Sequence, residues 1–81
     1  MELKDTVGMM NSSDYKERFK AEYHQLKIRL EKLTIMLQQL DKGELKFKPD
    51  SPTTILLTQR SHMEAYLNCL EIRASAEGVQ L

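Results

Sequence analysis

The residues best suited to chemistry gather in two stretches. The first holds Tyr15, Lys16, Arg18, Phe19, Lys20, Tyr23, His24 and Lys27. Aromatic rings stack on bases while Lys and Arg neutralise phosphates, so this mixture suits a nucleotide. Phe19 and Tyr23 also fit an apolar helix seam, which leaves Tyr15, Lys16 and Lys20 as the freer ligand-binding candidates. The second stretch holds Lys46, Phe47 and Lys48, then Ser51, Thr53 and Thr54 at an expected helix start. Unpaired backbone N–H groups, hydroxyls and nearby lysines are the ingredients of a phosphate site. Plain helix capping accounts for the same Ser and Thr. From this stretch Lys46, Lys48, Thr53 and Thr54 join the binding candidates.

Nothing in the pattern reads as catalytic. His24 and His62 fall on different helices, and no carboxylate forms a recognisable motif with either. With one cysteine and no Gly-rich loop, the chain carries no nucleophile or phosphate-binding fingerprint. The two histidines lack metal-ligand spacing, so neither a metal nor another cofactor is expected. Cys69 sits among apolar neighbours and reads as packing. Arg60 and Arg73 fall beside the apolar face of the second helix, where Glu22, Glu31 or Glu64 can pair with them. The expectation is a binding protein, not an enzyme.

Charge sharpens that expectation. Twelve Lys and Arg balance twelve Asp and Glu over 81 residues, which argues against bulk nucleic-acid binding. The balance is uneven along the chain. Lys16 to Lys48 carries nine basic and five acidic residues, net +4, whereas Pro49 onward carries two and four, net −2. A basic first helix can meet an anionic ligand or an acidic protein surface; pairing with Glu17, Glu22 and Glu31 along a solvated face explains it equally well.

The elements that must position these residues are helical. Apolar residues make up 41% and charged residues 30%, with three glycines, two prolines and no tryptophan, too little punctuation for an all-β fold. Phe19, Tyr23, Leu26, Leu30, Leu33, Leu37 and Leu40 alternate steps of four and three, a heptad seam. Ser12, Ser13 and Asp14 offer N-caps, Asp14 with Glu17 has capping-box spacing, and Gly43 suits a left-handed stop. Ser51 and Pro52 read as an N-cap and first helical position. Leu56, Met63, Tyr66, Leu67 and Leu70 form the second inward face, and Gly78 ends that helix.

The expected fold is therefore all-α, two long antiparallel helices with a short N-terminal segment. Residues 1–12 show no period and read as flexible or as a start extension before Met9 and Met10. Residues 13–78 form the hairpin, with helices at about 14–42 and 52–77, a loop at 43–51 and a tail at 79–81. No apolar run is long enough for a membrane span, and the N-terminus lacks the apolar stretch of a signal peptide. A cytoplasmic protein with Cys69 reduced is expected.

A second stripe bears on assembly. Ala21, Ile28 and Ile35 recur every seven residues away from the leucine seam; Ser61, Ala65, Cys69, Ile72 and Ala76 make a matching stripe of small and apolar residues on the second helix. A helix apolar on two sides is buried on two sides. Either copies associate through Ile28, Ile35 and Ile72, or residues 1–12 fold back over one stripe. A hairpin this small buries too little area alone, which favours a homo-oligomeric bundle.

The residues also carry a resemblance. Asp14-Tyr15-Lys16, Glu22-Tyr23, Gln25-Leu26-Lys27-Ile28-Arg29 and Glu31-Lys32-Leu33 lead through Leu45, Phe47 and Pro49. Leu56-Leu57, Gln59, Met63, Tyr66-Leu67, Leu70-Glu71, Arg73-Ala74 and Glu77-Gly78-Val79 follow. Over roughly Met10 to Leu81 the chain resembles short helical-hairpin proteins of phages and prophages of Gram-positive gut bacteria, a family known by its relation to a crAss-like phage protein. In architecture it is similar to phage sponges that hold the cyclic nucleotide signals of CBASS and Thoeris immunity. Those sponges form hexamers and bind ligand at subunit junctions. The likeness implies an anti-defence protein that sequesters a cyclic oligonucleotide, with Tyr15, Lys16, Lys20 and the turn from Lys46 to Thr54 as the places to look. Two other readings stand beside it, an anti-CRISPR-type inhibitor of a host nuclease and a structural or regulatory prophage accessory protein.

Overall fold

The computed structural model describes residues 1–81 as an all-helical chain without strands. A 3-10 turn at Leu3–Thr6 leads into a short helix, α1 (Val7–Met10). Two long helices follow, α2 (Tyr15–Asp41) and α3 (Thr53–Glu77). They lie antiparallel: Tyr15 meets Glu77 at one end, while Leu37 and Asp41 share a cleft with Thr53 and Leu57 at the other. The molecule measures 43 × 24 × 17 Å, about the length of one helix. No helix is long and apolar enough to cross a membrane.

Local chemistry sets the helix ends. The Asp14 carboxylate accepts the Lys16 N–H at 3.0 Å and starts α2. The Asp14 N–H, which a capping box would give to Glu17, goes to the Ser12 hydroxyl at 3.0 Å. Glu17 pairs with Lys20 at 3.4 Å instead. Gly43 closes α2 with φ +72°, and the Glu44 N–H reaches back to the Gln39 carbonyl at 2.8 Å. At α3 the N-cap is Pro52 and no side chain caps it, so Ser51 does not play the part its position suggested.

The α2 seam is buried from Phe19 through Tyr23, Leu26, Leu30 and Leu33 to Leu37, with Leu40 half-buried. On α3 the inward row is Leu56, Arg60, Met63, Leu67, Leu70 and Ala74, spaced four and three, but only Leu70 and Ala74 are fully buried. Packing is therefore tight where α2 begins and α3 ends, and loosens toward the connecting loop. Tyr66, expected inward, is 44% exposed, and Cys69, expected to be packed, is exposed as well. Each precedes an inward leucine by one residue, which turns it about 100° away from the seam.

Residues 1–12 are ordered against α2 rather than a loose extension. Thr6 is fully buried; its hydroxyl donates to the Leu3 carbonyl at 2.7 Å and accepts from the Gln25 amide at 3.0 Å. The same amide reaches the Met10 sulfur. Ala21, one turn before Gln25, is completely enclosed. The segment is too short to show a period, and the partner that orders it lies on another element. It covers the start of the second α2 stripe, leaves Ile28 half-buried, and stops short of Ile35.

Candidate functional site

The tight end of the hairpin carries a polar network. Because Phe19 and Tyr23 pack with Leu70 and Ala74, the residues one turn further out must face one another. Tyr15 on α2 donates its hydroxyl to Glu77 Oε1 at 2.8 Å and accepts from Arg73 Nη2 at 2.6 Å. Arg73 Nε donates to Glu77 Oε2 at 3.0 Å, an i,i+4 pair on α3. The guanidinium also lies 4.9 Å from the Phe19 ring centroid, and Tyr15 meets Phe19 edge-on at 6.2 Å. Four side chains from two helices thus hold one another in place.

Electrostatics follow from those contacts. The hydrogen bond from Tyr15, then that from Arg73, hold the Glu77 carboxyl below its ordinary value. Hydrogen bonding to Glu77 raises the Tyr15 phenol and the Arg73 guanidinium. The cluster is a neutralised ion pair with a 47% exposed tyrosine over it. Arginine has five N–H donors in a plane, of which two are engaged here, so the rest can meet a phosphate or a base edge. Sequence reasoning singles out Tyr15 and misses Glu77; for Arg73 it points to Glu22, Glu31 and Glu64. The four-residue spacing of Arg73 and Glu77 is the signal that could have found the pair.

Lys16 and Lys20 do not complete this cluster. At 100° per residue Lys20 lies about 140° around α2 from Tyr15. Lys16, Lys20 and Lys27 instead form a basic strip on the other flank, with His24 among them. Lys27 Nζ stands 5.8 Å from the Tyr23 ring centroid, and His24 meets that ring edge-on at 5.2 Å. Burial, then Lys27 and Lys20, pushes the His24 imidazole below its ordinary value. Lys20 is tied to Glu17, and Arg18 donates to the Ser12 carbonyl at 2.9 Å. Lys16 is exposed and makes no ion pair.

The second candidate set lies at the opposite end. Lys46 and Lys48 are exposed in the loop, and Thr53 and Thr54 open α3, where the Pro52 carbonyl accepts from the Ile55 and Leu56 N–H groups. Thr53 also lines an open cleft of about 540 Å³ with Leu37, Leu40, Asp41, Leu57 and Arg60. Arg60 is half-buried and pairs with Glu64 at 3.5 Å. The 25 residues of α3 separate this end from Glu77. At 1.5 Å per residue that is about 36 Å, so a small ligand cannot touch both sets within one chain.

Ile35 and Ile72, the outer isoleucines, are 54% and 61% exposed. No group of three His, Cys, Asp or Glu side chains comes together to hold a metal ion. The molecule is thus a small two-helix hairpin protein, with an aromatic and charged network locking its closed end. Its sequence matches the family model described as Sequestin over residues 13–76, from the N-cap of α2 to the last turn of α3. The chain belongs to the Sequestin family. No curated protein and no solved structure matches it.

Proposed function

We propose that this chain is a phage-encoded host-defence antagonist that binds a cyclic oligonucleotide immune signal and holds it without converting it. The family name itself describes sequestering. The observation that carries the ligand class is the exposed Tyr15 ring held beside the Arg73 guanidinium. A ring next to a planar cation suits a base joined to a phosphate. Lys46, Lys48, Thr53 and Thr54 supply phosphate contacts at the other end, and Lys16 and Lys20 a basic flank. The protein works as a homo-oligomer, up to a hexamer, with Ile28, Ile35 and Ile72 in its interfaces, in the cytoplasm of the bacterial host. It uses no metal or other cofactor.

The test is a melting-temperature panel of purified protein with cyclic di- and trinucleotides, followed by chromatography of the released ligand. Sequestration predicts a concentration-dependent upward shift for one ligand class, and recovery of that ligand intact. Indifference to the whole panel removes the ligand reading. A host nuclease that then co-purifies from lysate establishes the protein-inhibitor alternative, and a cleaved ligand makes the protein an enzyme.

A further inference from the structure

α3 carries a second heptad row on its outward side. Ile55, Thr58, His62, Ala65, Cys69, Ile72 and Ala76 alternate steps of three and four, and every one is exposed. This row lies opposite the inward row from Leu56 to Ala74. The charged side chains Arg60, Glu64 and Glu71 fall outside it, and Arg73 at its edge is bonded to Glu77 and Tyr15. An outward heptad row free of Lys, Arg, Asp and Glu on an exposed helix is a surface made for another helix.

The order of sizes in the row selects the occupant. Reflected about Ala65, Ile55 pairs with Ala76, Thr58 with Ile72, and His62 with Cys69. A second copy running antiparallel therefore sets each isoleucine against a small residue and Ala65 against itself. Large-on-small alternation is what lets two helix faces interdigitate without voids. A parallel pair would stack Ile55 on Ile55 and His62 on His62, leaving gaps at Thr58 and Ala65. Self-complementarity about a midpoint is the mark of a two-fold interface.

Area points the same way. A folded monomer of 9.4 kDa exposes about 5,000 Å² by the usual size scaling. This chain exposes 5845 Å². The excess, about 800 Å², matches what one partner buries in a standard interface.

We propose that two copies of this protein pair antiparallel along the outward face of α3, about a two-fold axis at Ala65. On the reading that the chain holds a ligand, the same register has a consequence. Glu77 of one copy stands opposite Thr54 of the second. The Tyr15–Arg73–Glu77 network and the Lys46 to Thr54 turn, separated by the length of α3 in one chain, then flank one junction.

Disulfide trapping tests the pairing without any ligand, so its outcome is independent of the sequestration reading. Cys69 is the lone thiol. In the antiparallel register two copies of Cys69 lie roughly 10 Å apart along the axis, beyond disulfide reach. Wild type under mild oxidation at micromolar concentration is expected to stay uncrosslinked. His62→Cys is expected to give a covalent dimer on a non-reducing gel, as is Ala65→Cys with Cys69→Ser, whereas His62→Cys with Cys69→Ser is not. All these positions are exposed, so the hairpin tolerates the changes, which circular dichroism verifies. Efficient Cys69–Cys69 crosslinking in wild type, or failure of both His62→Cys and Ala65→Cys to crosslink, overturns the proposal.

Discussion

At the scale of single residues, Tyr15 does two separable things, and substitutions can divide them. Its hydroxyl links Arg73 to Glu77, while its ring presents an open face to solvent. If the ring stacks on a base, Tyr15→Ala should weaken binding of the cyclic oligonucleotide found in the melting panel by roughly ten- to a hundredfold. Tyr15→Phe should keep most of the affinity, because the ring remains. Calorimetric titration of both variants decides it; equal losses would mean the hydroxyl network, not stacking, makes the site. Titration of side chains gives a second prediction. His24 is held below its ordinary value of 6.5 by burial and by Lys27 and Lys20. The unfolded chain therefore takes up a proton first as pH falls, and stability drops between 6.5 and the lowered folded value. Glu77 is held below 4.5, so its contribution is present above 4.5 and is lost as pH falls through its lowered folded value. Melting temperature against pH should show two acid-side steps. His24→Asn should remove the upper step and Glu77→Gln the lower, and a wild-type profile flat from about pH 7 to 5 would contradict the His24 assignment.

At the scale of elements, the seams and stops explain the hairpin, and they differ in how far local sequence announces them. The leucine seam of α2 is readable because its residues share one face and one partner helix; so is Gly43, which needs φ above zero. The inward row of α3 is only half readable. Its heptad includes Arg60 in place of an apolar residue, and a second row at equal period competes with it, so periodicity alone puts Tyr66 on the wrong face. Val79 reads as tail, yet it is buried in the core with Ala74, and its N–H bonds the Ala74 carbonyl at 2.9 Å. That follows once Gly78 is seen as a left-handed cap, since an apolar residue commonly follows one and folds back. Of the site, the two clusters are legible by composition and the Arg73–Glu77 pair by its spacing, but the bond from Tyr15 to Glu77 is not, because it depends on which helix ends meet. Glycine substitutions test this level. Gly78 has φ +70° and open space where a Cβ would stand, so Gly78→Ala should cost about 1–2 kcal/mol through backbone strain alone. Gly8 lies in α1 at ordinary helical φ with equally open space, so Gly8→Ala should be neutral or stabilise by up to about 1 kcal/mol. Urea melts of the pair measure both, and a destabilised Gly8→Ala would show that α1 is not seated as described.

At the scale of the whole molecule, the buried set is small for a chain that must hold one conformation. Eleven residues are buried, and six of them form the cluster at the closed end, where Phe19, Tyr23 and Leu26 meet Leu70, Ala74 and Val79. Met63 and Leu67 pack against its margin, but the loop end has no such cluster; Leu56 is half-buried there, while Ile55, Leu57 and Phe47 are exposed. On the first half of α3, Ile55 stands on the outward row, whereas Leu57 lines the open cleft beside Leu37 and Asp41. If two copies pair as proposed, folding and association are coupled, since burying the outward faces completes what the hairpin alone leaves open. The melting temperature should accordingly rise with protein concentration, because each dissociation step loses stability by mass action. Ile72→Lys places a charge in the outward face without touching the inner core, so it should abolish that concentration dependence and reduce the mass seen by light scattering. Leu70→Ala acts on the inner core, at a site 1% exposed, and should cost about 2–5 kcal/mol at any concentration. A wild-type melting temperature constant over a hundredfold dilution range, with monomer mass throughout, would mean the eleven buried residues suffice unaided.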